Sequence, residues 1–188
     1  MNEENDMVKL ISEIDLDDIS SEEVFFVDTN VLLVVHFGSR SWAEEKIACY
    51  ANFILGLLNK GNKVCVSALN LQELFHSVEN NEFKQYKKVN LNNDRNFTKK
   101  MYRAIAEERQ RLAEDLQSKH LEISEQYSVV SGNITNEMIK IFLEDYENHS
   151  YDPIDFIAVR YNTNGIINFI TDDSDFKKDS DIVVYTYE

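Results

Sequence analysis

The stretch that decides the fold is Val24-Phe25-Phe26-Val27-Asp28-Thr29-Asn30, in which a short apolar run ends directly at an aspartate. Short, nearly continuous apolar runs are typical of buried parallel strands. A second run, Ile166-Ile167-Asn168-Phe169-Ile170, ends at Thr171 and the acidic stretch Asp172-Asp173-Ser174-Asp175. Ligands of open α/β sheets bind just beyond the carboxyl ends of the strands. We therefore expect carboxylates from both stretches to meet at one edge of a sheet.

Strand and helix patterns alternate around these two runs. The sequence predicts strands over 24–27, 64–66, 166–170 and 182–187, and helices over 42–60, 68–78 and 153–161. Ser67 is a natural N-cap for the second of these helices. This order of elements favours a parallel sheet with right-handed crossovers, which is the α/β class.

Two segments lie outside this pattern. Residues 1–23 contain nine acidic residues and one basic residue, a net charge of −8, and are predicted to form an acidic N-terminal extension, with a short docked helix as one interpretation. Residues from about 81 to 149 are charged and helical in pattern, with candidate helices over 96–118 and 135–148. We predict one domain over 24–188, in which 81–149 form a helical insert that projects over one edge of the sheet.

Composition limits the class of protein. With 188 residues, 43% of them apolar, the chain is long enough to bury one substantial core. No stretch approaches the roughly 20 apolar residues that span a bilayer, and Met1–Asp6 is acidic where a signal peptide would be basic. We expect a cytoplasmic protein that does not bind membranes. The net charge of −15 argues against simple electrostatic attraction of nucleic acid.

The charge reverses in one stretch, where Lys84–Arg111 holds nine basic and three acidic residues, a net charge of +6. A polyanion would bind there, and the aromatic residues Tyr86, Phe97 and Tyr102 are candidate platforms for single-stranded bases. The alternative is that the charges form a solvated helix face. The candidate RNA-contacting residues are Lys84, Lys87, Lys88, Arg95, Lys99, Lys100 and Arg103.

Acidic residues at four places are brought towards one another by the predicted topology: Asp28, Glu73, Asp155 and the cluster Asp172, Asp173 and Asp175. Taken singly, each has a simpler explanation as a helix cap, a first-turn acid, a solvated side chain or a polar turn. Two carboxylates about 5 Å apart, however, repel by roughly 3 kcal/mol at an effective dielectric constant near 20. Their convergence therefore favours a bound cation, and an all-oxygen site suits Mg²⁺ or Mn²⁺.

These residues resemble the PIN-domain ribonucleases, a family that includes the toxins of many bacterial toxin–antitoxin pairs. The matching segments are Asp28-Thr29-Asn30, residues 66–74, Asp155-Phe156-Ile157-Ala158 and residues 170–176, in the family's order. The resemblance covers residues 24–80 and 150–188. It implies a PIN-like (Rossmann-like) fold and a metal-dependent endoribonuclease that hydrolyses RNA phosphodiester bonds. The implied partners are an RNA substrate, an antitoxin or other regulatory protein, and a second copy of the chain in a homodimer.

The resemblance also assigns roles to individual residues. It implies that an acidic quartet binds Mg²⁺ or Mn²⁺ and carries catalysis, the quartet being Asp28, Glu73, Asp155 and Asp173. Asp175 and Asp172 are further metal-ligand candidates, although only one of the adjacent residues Asp172 and Asp173 can point into the cleft. Thr29, Asn30 and Thr171 would be polar supports. The chain departs from the common small toxins in its longer helical connection between Glu73 and Asp155 and in its acidity.

Two other functions are consistent with parts of the sequence. Residues 26–32 resemble the opening of haloacid dehalogenase-type phosphohydrolases, with Asp28 as the nucleophile, but the second acid of that family is Asn30 here. The other alternative is a non-catalytic PIN-like scaffold that binds a protein partner or RNA. The acidic extension and the large helical insert are the features that favour the scaffold.

Overall fold

The computed structural model of the chain describes residues 7–38, 42–130, 166–178 and 182–188, with the single positions 136 and 140. Its strands are β1 (Val8–Leu10), β2 (Val24–Val27), β3 (Lys63–Ser67), β4 (Ser128–Val130), β5 (Asn168–Ile170) and β6 (Val183–Thr186). Its helices are α1 (Thr29–Phe37), α2 (Glu44–Lys60), α3 (Ala68–Asn90), α4 (Lys99–Ala104) and α5 (Ala106–Gln126). The described part of the chain has no helix that is long and apolar enough to cross a membrane.

The described strands form one parallel sheet in the order β1-β6-β5-β2-β3-β4. Both faces of its centre are buried, because Phe25 and Val27 of β2 enter one apolar cluster and Phe26 enters another. Burial on both faces explains why β2 is a continuous apolar run instead of an alternating one. The α/β class and the parallel sheet flanked by helices are confirmed, while the PIN-like assignment within that class stays a prediction.

The helices differ from the predicted ones in three respects. Helix α1 was not predicted, because Val31, Leu32 and Val34 bury it on more than one face and leave little amphipathic pattern. Helix α3 continues to Asn90 instead of ending at 78. The predicted helix over 96–118 is two helices, α4 and α5, which are separated by the extended residue Ile105. The predicted helix over 153–161 and nearly all of that over 135–148 lie outside the described residues.

The acidic extension contributes a strand to the sheet. Strand β1 pairs with β6, with Val8 opposite Val184 and Leu10 opposite Thr186. The helix suggested for this segment is a single 3₁₀ turn over Leu16–Asp18. The extension is also attached to the chain after α2, since the Asn62 side-chain amide donates hydrogen bonds to the carbonyl oxygens of Ser20 and Glu23 at 2.7 and 3.0 Å.

Ser67 ends β3 and caps α3, as the sequence predicted. Its Oγ accepts a hydrogen bond from the Asn70 N–H at 3.1 Å, and the Asn70 side-chain oxygen accepts one from the Ser67 N–H at 3.3 Å. This reciprocal capping box satisfies two backbone donors that the first turn of a helix leaves free. It fixes the direction in which α3 leaves the sheet.

We predict that Ser67→Ala lowers the free energy of unfolding by about 1–2 kcal/mol, the usual effect of losing a helix N-cap. Urea unfolding measures this change. Ser20→Ala is the control, because Ser20 Oγ accepts only a 3.3 Å bond from the Glu22 N–H in an exposed turn. Equal effects of the two substitutions would contradict a special role for the Ser67 cap.

Candidate active site

The candidate site lies where the strand order of the sheet reverses. Without β1, the order β4-β3-β2-β5-β6 corresponds to the 3-2-1-4-5 order of doubly wound sheets, and the reversal falls between β2 and β5. Asp28 directly follows β2 and Thr171 directly follows β5. The Asp28 N–H donates to the Ile170 carbonyl oxygen at 3.0 Å, which joins the two strand ends. Ligands bind at such a reversal point in this class of fold.

A chain of hydrogen bonds connects the residues after β5 to Asp28. Thr171 Oγ1 donates to Asp28 Oδ2 at 2.8 Å and accepts from the Asp173 N–H at 3.0 Å. Asp173 Oδ1 in turn accepts from the Asp175 N–H at 2.9 Å. The Thr171 hydroxyl thus connects Asp28 to the backbone of Asp173. The Asp175 N–H orients the Asp173 carboxylate.

Glu73 is held by a second set of hydrogen bonds from the other side of β2. Thr29 Oγ1 donates to Glu73 Oε2 at 2.7 Å and accepts from Asn70 Nδ2 at 3.0 Å. Asn70 is the residue that forms the capping box with Ser67. The cap of α3 is therefore connected to the Glu73 carboxylate through Asn70 and Thr29. Asn30, the third predicted polar support, is exposed in the first turn of α1.

Asp28 is a buried acid with an altered pKa. Its side chain makes no helix-capping hydrogen bond, although it occupies the N-cap position of α1, and the residue is 4% exposed. Burial raises the pKa of Asp28 to about 6, the hydrogen bond from Thr171 opposes that rise, and the negative charges of Glu73 and Asp173 add to it. Two acids that are distant from Asp28 in the sequence therefore act electrostatically on it.

The adjacent residues Asp172 and Asp173 have different partners. Asp172 Oδ2 forms an ion pair with Lys46 Nζ at 2.7 Å, and Asp172 Oδ1 accepts from the Tyr50 hydroxyl at 3.1 Å. Lys46 also lies over the Trp42 ring, 4.6 Å from its centroid. Asp172 thus contacts α2, whereas the charge of Asp173 acts on Asp28. This difference favours Asp173 over Asp172 as the metal-ligand candidate in the cleft.

Asp155, the fourth predicted member of the quartet, lies outside the described residues. Within 7–38, 42–130, 166–178 and 182–188, no three His, Cys, Asp or Glu side chains are close enough to hold a metal ion by themselves. Glu73 and Asp173 thus act electrostatically on Asp28, and their role as metal ligands stays a prediction.

The aromatic residues that were predicted to stack on single-stranded bases, Tyr86, Phe97 and Tyr102, pack against one another and against Phe83. Phe97 stacks on Phe83 and Tyr86, with ring centroids 6.1 and 5.8 Å apart, and Tyr102 lies 5.4 Å from Tyr86. Tyr102 is only 2% exposed. These rings fasten α4 to α3, so the buried Tyr102 is not a surface on which a base could stack.

Some of the basic residues that were predicted to contact RNA form ion pairs with acidic residues. Lys99 Nζ lies 2.8 Å from Glu79 Oε2, and Arg103 Nη2 donates to the same oxygen at 2.6 Å. Lys87 lies over the Phe83 ring at 5.7 Å. Lys84, Lys88, Arg95 and Lys100 are exposed. The contact of this stretch with RNA stays a prediction.

Three residues that support the site were not singled out from the sequence. Asn70 had a detectable signal, since it stands three residues after the cap residue Ser67. Tyr50 was counted among the apolar residues of α2, and only the structure shows its hydroxyl accepting the Tyr187 N–H at 3.0 Å while donating to Asp172. Nothing in the sequence pairs Lys46 with Asp172.

No protein-family model matches the chain, and no characterised protein matches it in sequence.

We predict that Asp28→Asn stabilises the metal-free protein at pH 7 by roughly 1–3 kcal/mol, since a rise in pKa from 3.8 to about 6 corresponds to about 3 kcal/mol. The Asp28 carboxyl binds its proton more tightly in the folded state than in the unfolded state. Its ionisation therefore lowers the free energy of unfolding by the full amount above pH 6 and not at all below pH 3.8. The advantage of the variant should therefore shrink as the pH falls from 7 towards 4. Urea unfolding in EDTA at both pH values measures it.

The matched control for this test is Asp172→Asn. Asp172 has a cationic partner in Lys46, so its neutralisation should destabilise the protein or leave its stability unchanged. A destabilising effect of Asp28→Asn at pH 7 would show that the carboxylate is retained for the stability of the fold.

Proposed function

We propose that the protein is a metal-dependent endoribonuclease whose catalytic carboxylates are Asp28, Glu73 and Asp173, with Asp155 as the fourth. The observation that carries the proposal is the buried Asp28 carboxyl, which is repelled by Glu73 and Asp173 at the point where the strand order reverses. A stable fold rarely keeps a buried acid beside two others unless the arrangement serves a ligand or a reaction.

The donor set suits Mg²⁺ or Mn²⁺. These ions prefer oxygen ligands, keep several water molecules, and are commonly held by one or two carboxylates together with substrate phosphates. The absence of a closed three-acid cage among the described residues is compatible with that mode of binding. Asp28 would be the main ligand, and Glu73 and Asp173 would bind directly or through water. When bound, the ion activates a water molecule and stabilises charge that develops on the phosphate.

The protein's own contribution is the orientation of the carboxylates. Thr171 fixes one oxygen of Asp28, Thr29 fixes one oxygen of Glu73, and the Asp175 N–H fixes one oxygen of Asp173. Carboxylates whose orientation is set by hydrogen bonds can position a water molecule for in-line attack without reorganising during the reaction. The products would carry a 5′-phosphate and a 3′-hydroxyl.

RNA as the substrate, and a toxin role with an antitoxin partner, rest on the resemblance to PIN-domain ribonucleases. A haloacid dehalogenase-type reaction is less well supported, because the second acid of that family is replaced by Asn30 here. That reaction also has no use for the ordered Glu73 carboxylate.

We predict that the purified protein cleaves single-stranded RNA in Mn²⁺ or Mg²⁺ and not in EDTA. Asp28→Asn and Glu73→Gln should each reduce the rate by about 100-fold or more, as expected for residues that hold the ion which stabilises charge in the transition state. Gel analysis of a mixed pool of labelled single-stranded, structured and transfer RNAs measures the cleavage. Glu125→Gln, which neutralises an exposed acid of α5, is the matched control and should cleave like the unmodified chain.

Metal binding is measured in parallel from thermal unfolding. A ligand that binds only the folded state raises the melting temperature, so Mn²⁺ should stabilise the unmodified chain more than Asp28→Asn. If none of these proteins cleaves RNA, and if Mn²⁺ does not change the melting temperature of the unmodified chain, the nuclease proposal is refuted. That result would favour the non-catalytic scaffold.

A further inference from the structure

Two polar side chains attach α2 to the loop after β5. Lys46 and Tyr50 lie one turn apart on α2, so they share one face of the helix. Lys46 Nζ lies 2.7 Å from Asp172 Oδ2, and the Tyr50 hydroxyl lies 3.1 Å from Asp172 Oδ1. Both oxygens of the Asp172 carboxylate therefore have a partner on α2.

The Tyr50 hydroxyl connects α2 to the ends of two strands. Tyr50 is fully buried, and burial raises the pKa of its hydroxyl, which therefore keeps its proton near neutral pH. That proton has two acceptors within reach, because the Thr171 carbonyl oxygen lies 3.2 Å from the hydroxyl in addition to Asp172 Oδ1. The hydroxyl oxygen accepts the Tyr187 N–H at 3.0 Å. One atom thus joins α2, the residues after β5 and the residue after β6.

Lys46 is enclosed on several sides. Its Nζ lies 4.6 Å from the centroid of the Trp42 ring and 5.6 Å from that of the Tyr187 ring. The side chains of Lys46 and Asp172 are only 17% and 21% exposed. Partly buried ion pairs are screened by solvent much less than exposed pairs. The contact between Lys46 and Asp172 is therefore stronger than a typical surface ion pair.

The attached residues directly precede Asp173. Thr171, whose carbonyl oxygen contacts Tyr50, accepts the Asp173 N–H at 3.0 Å through its hydroxyl and donates to Asp28 Oδ2 at 2.8 Å. Asp172 is the neighbour of Asp173 in the chain, and the charge of Asp173 acts on Asp28. Because the two residues before Asp173 are held by α2, the positions open to the Asp173 carboxylate are restricted.

We propose that Lys46 and Tyr50 are positioning residues, which hold Asp172 on α2 and thereby keep the Asp173 carboxylate directed towards Asp28. Adjacent aspartates carry the same ligand group, so the contacts of Asp172 with α2 decide which of the two is available to an ion. The proposal deepens the proposed function and rests on it, since it takes the directed carboxylate to be a metal ligand. Groups that orient metal ligands in this way commonly affect metal affinity without touching the metal.

Lys46→Met tests the proposal, because two possible effects of Lys46 on a cation have opposite signs. Removing a positive charge near a cation site strengthens cation binding if the charge acts only through space. If Lys46 positions Asp173, Lys46→Met should instead weaken Mn²⁺ binding by about tenfold or more, the usual effect of losing a group that orients a metal ligand. The electron paramagnetic resonance signal of free Mn²⁺, titrated with the full-length protein, measures the affinity.

Two further variants accompany Lys46→Met. Lys46→Arg keeps the positive charge beside Asp172 and should retain most of the Mn²⁺ affinity. Lys60→Met is the matched control, because it removes the same charge from α2 at a residue whose Nζ contacts the Leu16 carbonyl oxygen. It should not weaken Mn²⁺ binding.

Tyr50→Phe tests the hydroxyl and keeps the buried ring. The matched control is Tyr127→Phe, because Tyr127 is also buried and its hydroxyl lies 3.0 Å from His36 Nε2. Each variant loses one buried hydroxyl contact, so both should be less stable in urea than the unmodified chain. Only Tyr50→Phe should also weaken Mn²⁺ binding.

The position of the loop is measured without metal. Backbone amide hydrogen exchange in EDTA, followed by NMR, reports on the Asp173 and Asp175 N–H groups, which donate within the loop. Lys46→Met and Tyr50→Phe should each speed this exchange by about fivefold, the effect of losing one hydrogen bond. The two control variants, Lys60→Met and Tyr127→Phe, should leave it unchanged.

The outcomes separate this proposal from the proposed function. Unchanged exchange in Lys46→Met and Tyr50→Phe would overturn the proposal even if the protein cleaves RNA. Mn²⁺ binding by either variant that equals or exceeds that of the unmodified chain would overturn it as well. If both variants exchange faster but no protein binds Mn²⁺, the positioning is supported and the proposed function is refuted.

Discussion

The burial of the Asp28 carboxyl at the end of β2 is the constraint on which the arrangement of the site depends. A carboxylate removed from water must gain hydrogen bonds or a cation, or it takes up a proton. Thr171 supplies one hydrogen bond from the neighbouring strand end, while Glu73 and Asp173 add repulsion. The remaining contacts, from Asn70 through Thr29 to Glu73 and from Asp175 to Asp173, keep these charges at fixed positions.

The site combines two parts of the fold that are rigid for different reasons. Asp28 and Thr171 follow central strands that are buried on both faces, so their positions are set by packing. Glu73 lies on a helix whose start is fixed by Ser67 and Asn70. Functional groups on such elements are held more precisely than groups on free loops. The ion pair between Asp172 and Lys46 joins the loop after β5 to α2.

Much of the sheet could be predicted from the sequence, because buried parallel strands leave apolar runs that end at recognisable residues. Strands β2, β3, β5 and β6 have this pattern, whereas β1 and β4 are short edge strands that carry little of it. The electrostatic effect of Glu73 and Asp173 on Asp28 is consistent with the predicted edge, since strand ends and their following helices share one edge of the sheet. The distinction between Asp172 and Asp173 could not, because it depends on Lys46 and Tyr50, more than 120 positions earlier.

The charged stretch shows where composition is misleading. Interleaved basic and aromatic residues are the pattern of a nucleic-acid surface, yet Phe83, Tyr86, Phe97 and Tyr102 form a cluster of their own, and Lys99 and Arg103 neutralise Glu79. A sequence gives the number of charges and rings but not which of them pair across a helix hairpin. The contacts between α3 and α4 could not be predicted, because the predicted helix ended at residue 78 whereas α3 continues to Asn90.

The pairing of β1 with β6 has a consequence for how the chain folds. Lys9 and Tyr185, whose side chains lie within 3.4 Å, are 176 positions apart. Contacts of such long sequence separation slow folding, because the chain entropy must be lost before the contact forms. During synthesis the segment around Val8 cannot pair with β6 until β6 has left the ribosome. Its many acidic residues would keep it hydrated and prevent association with other nascent chains in that interval.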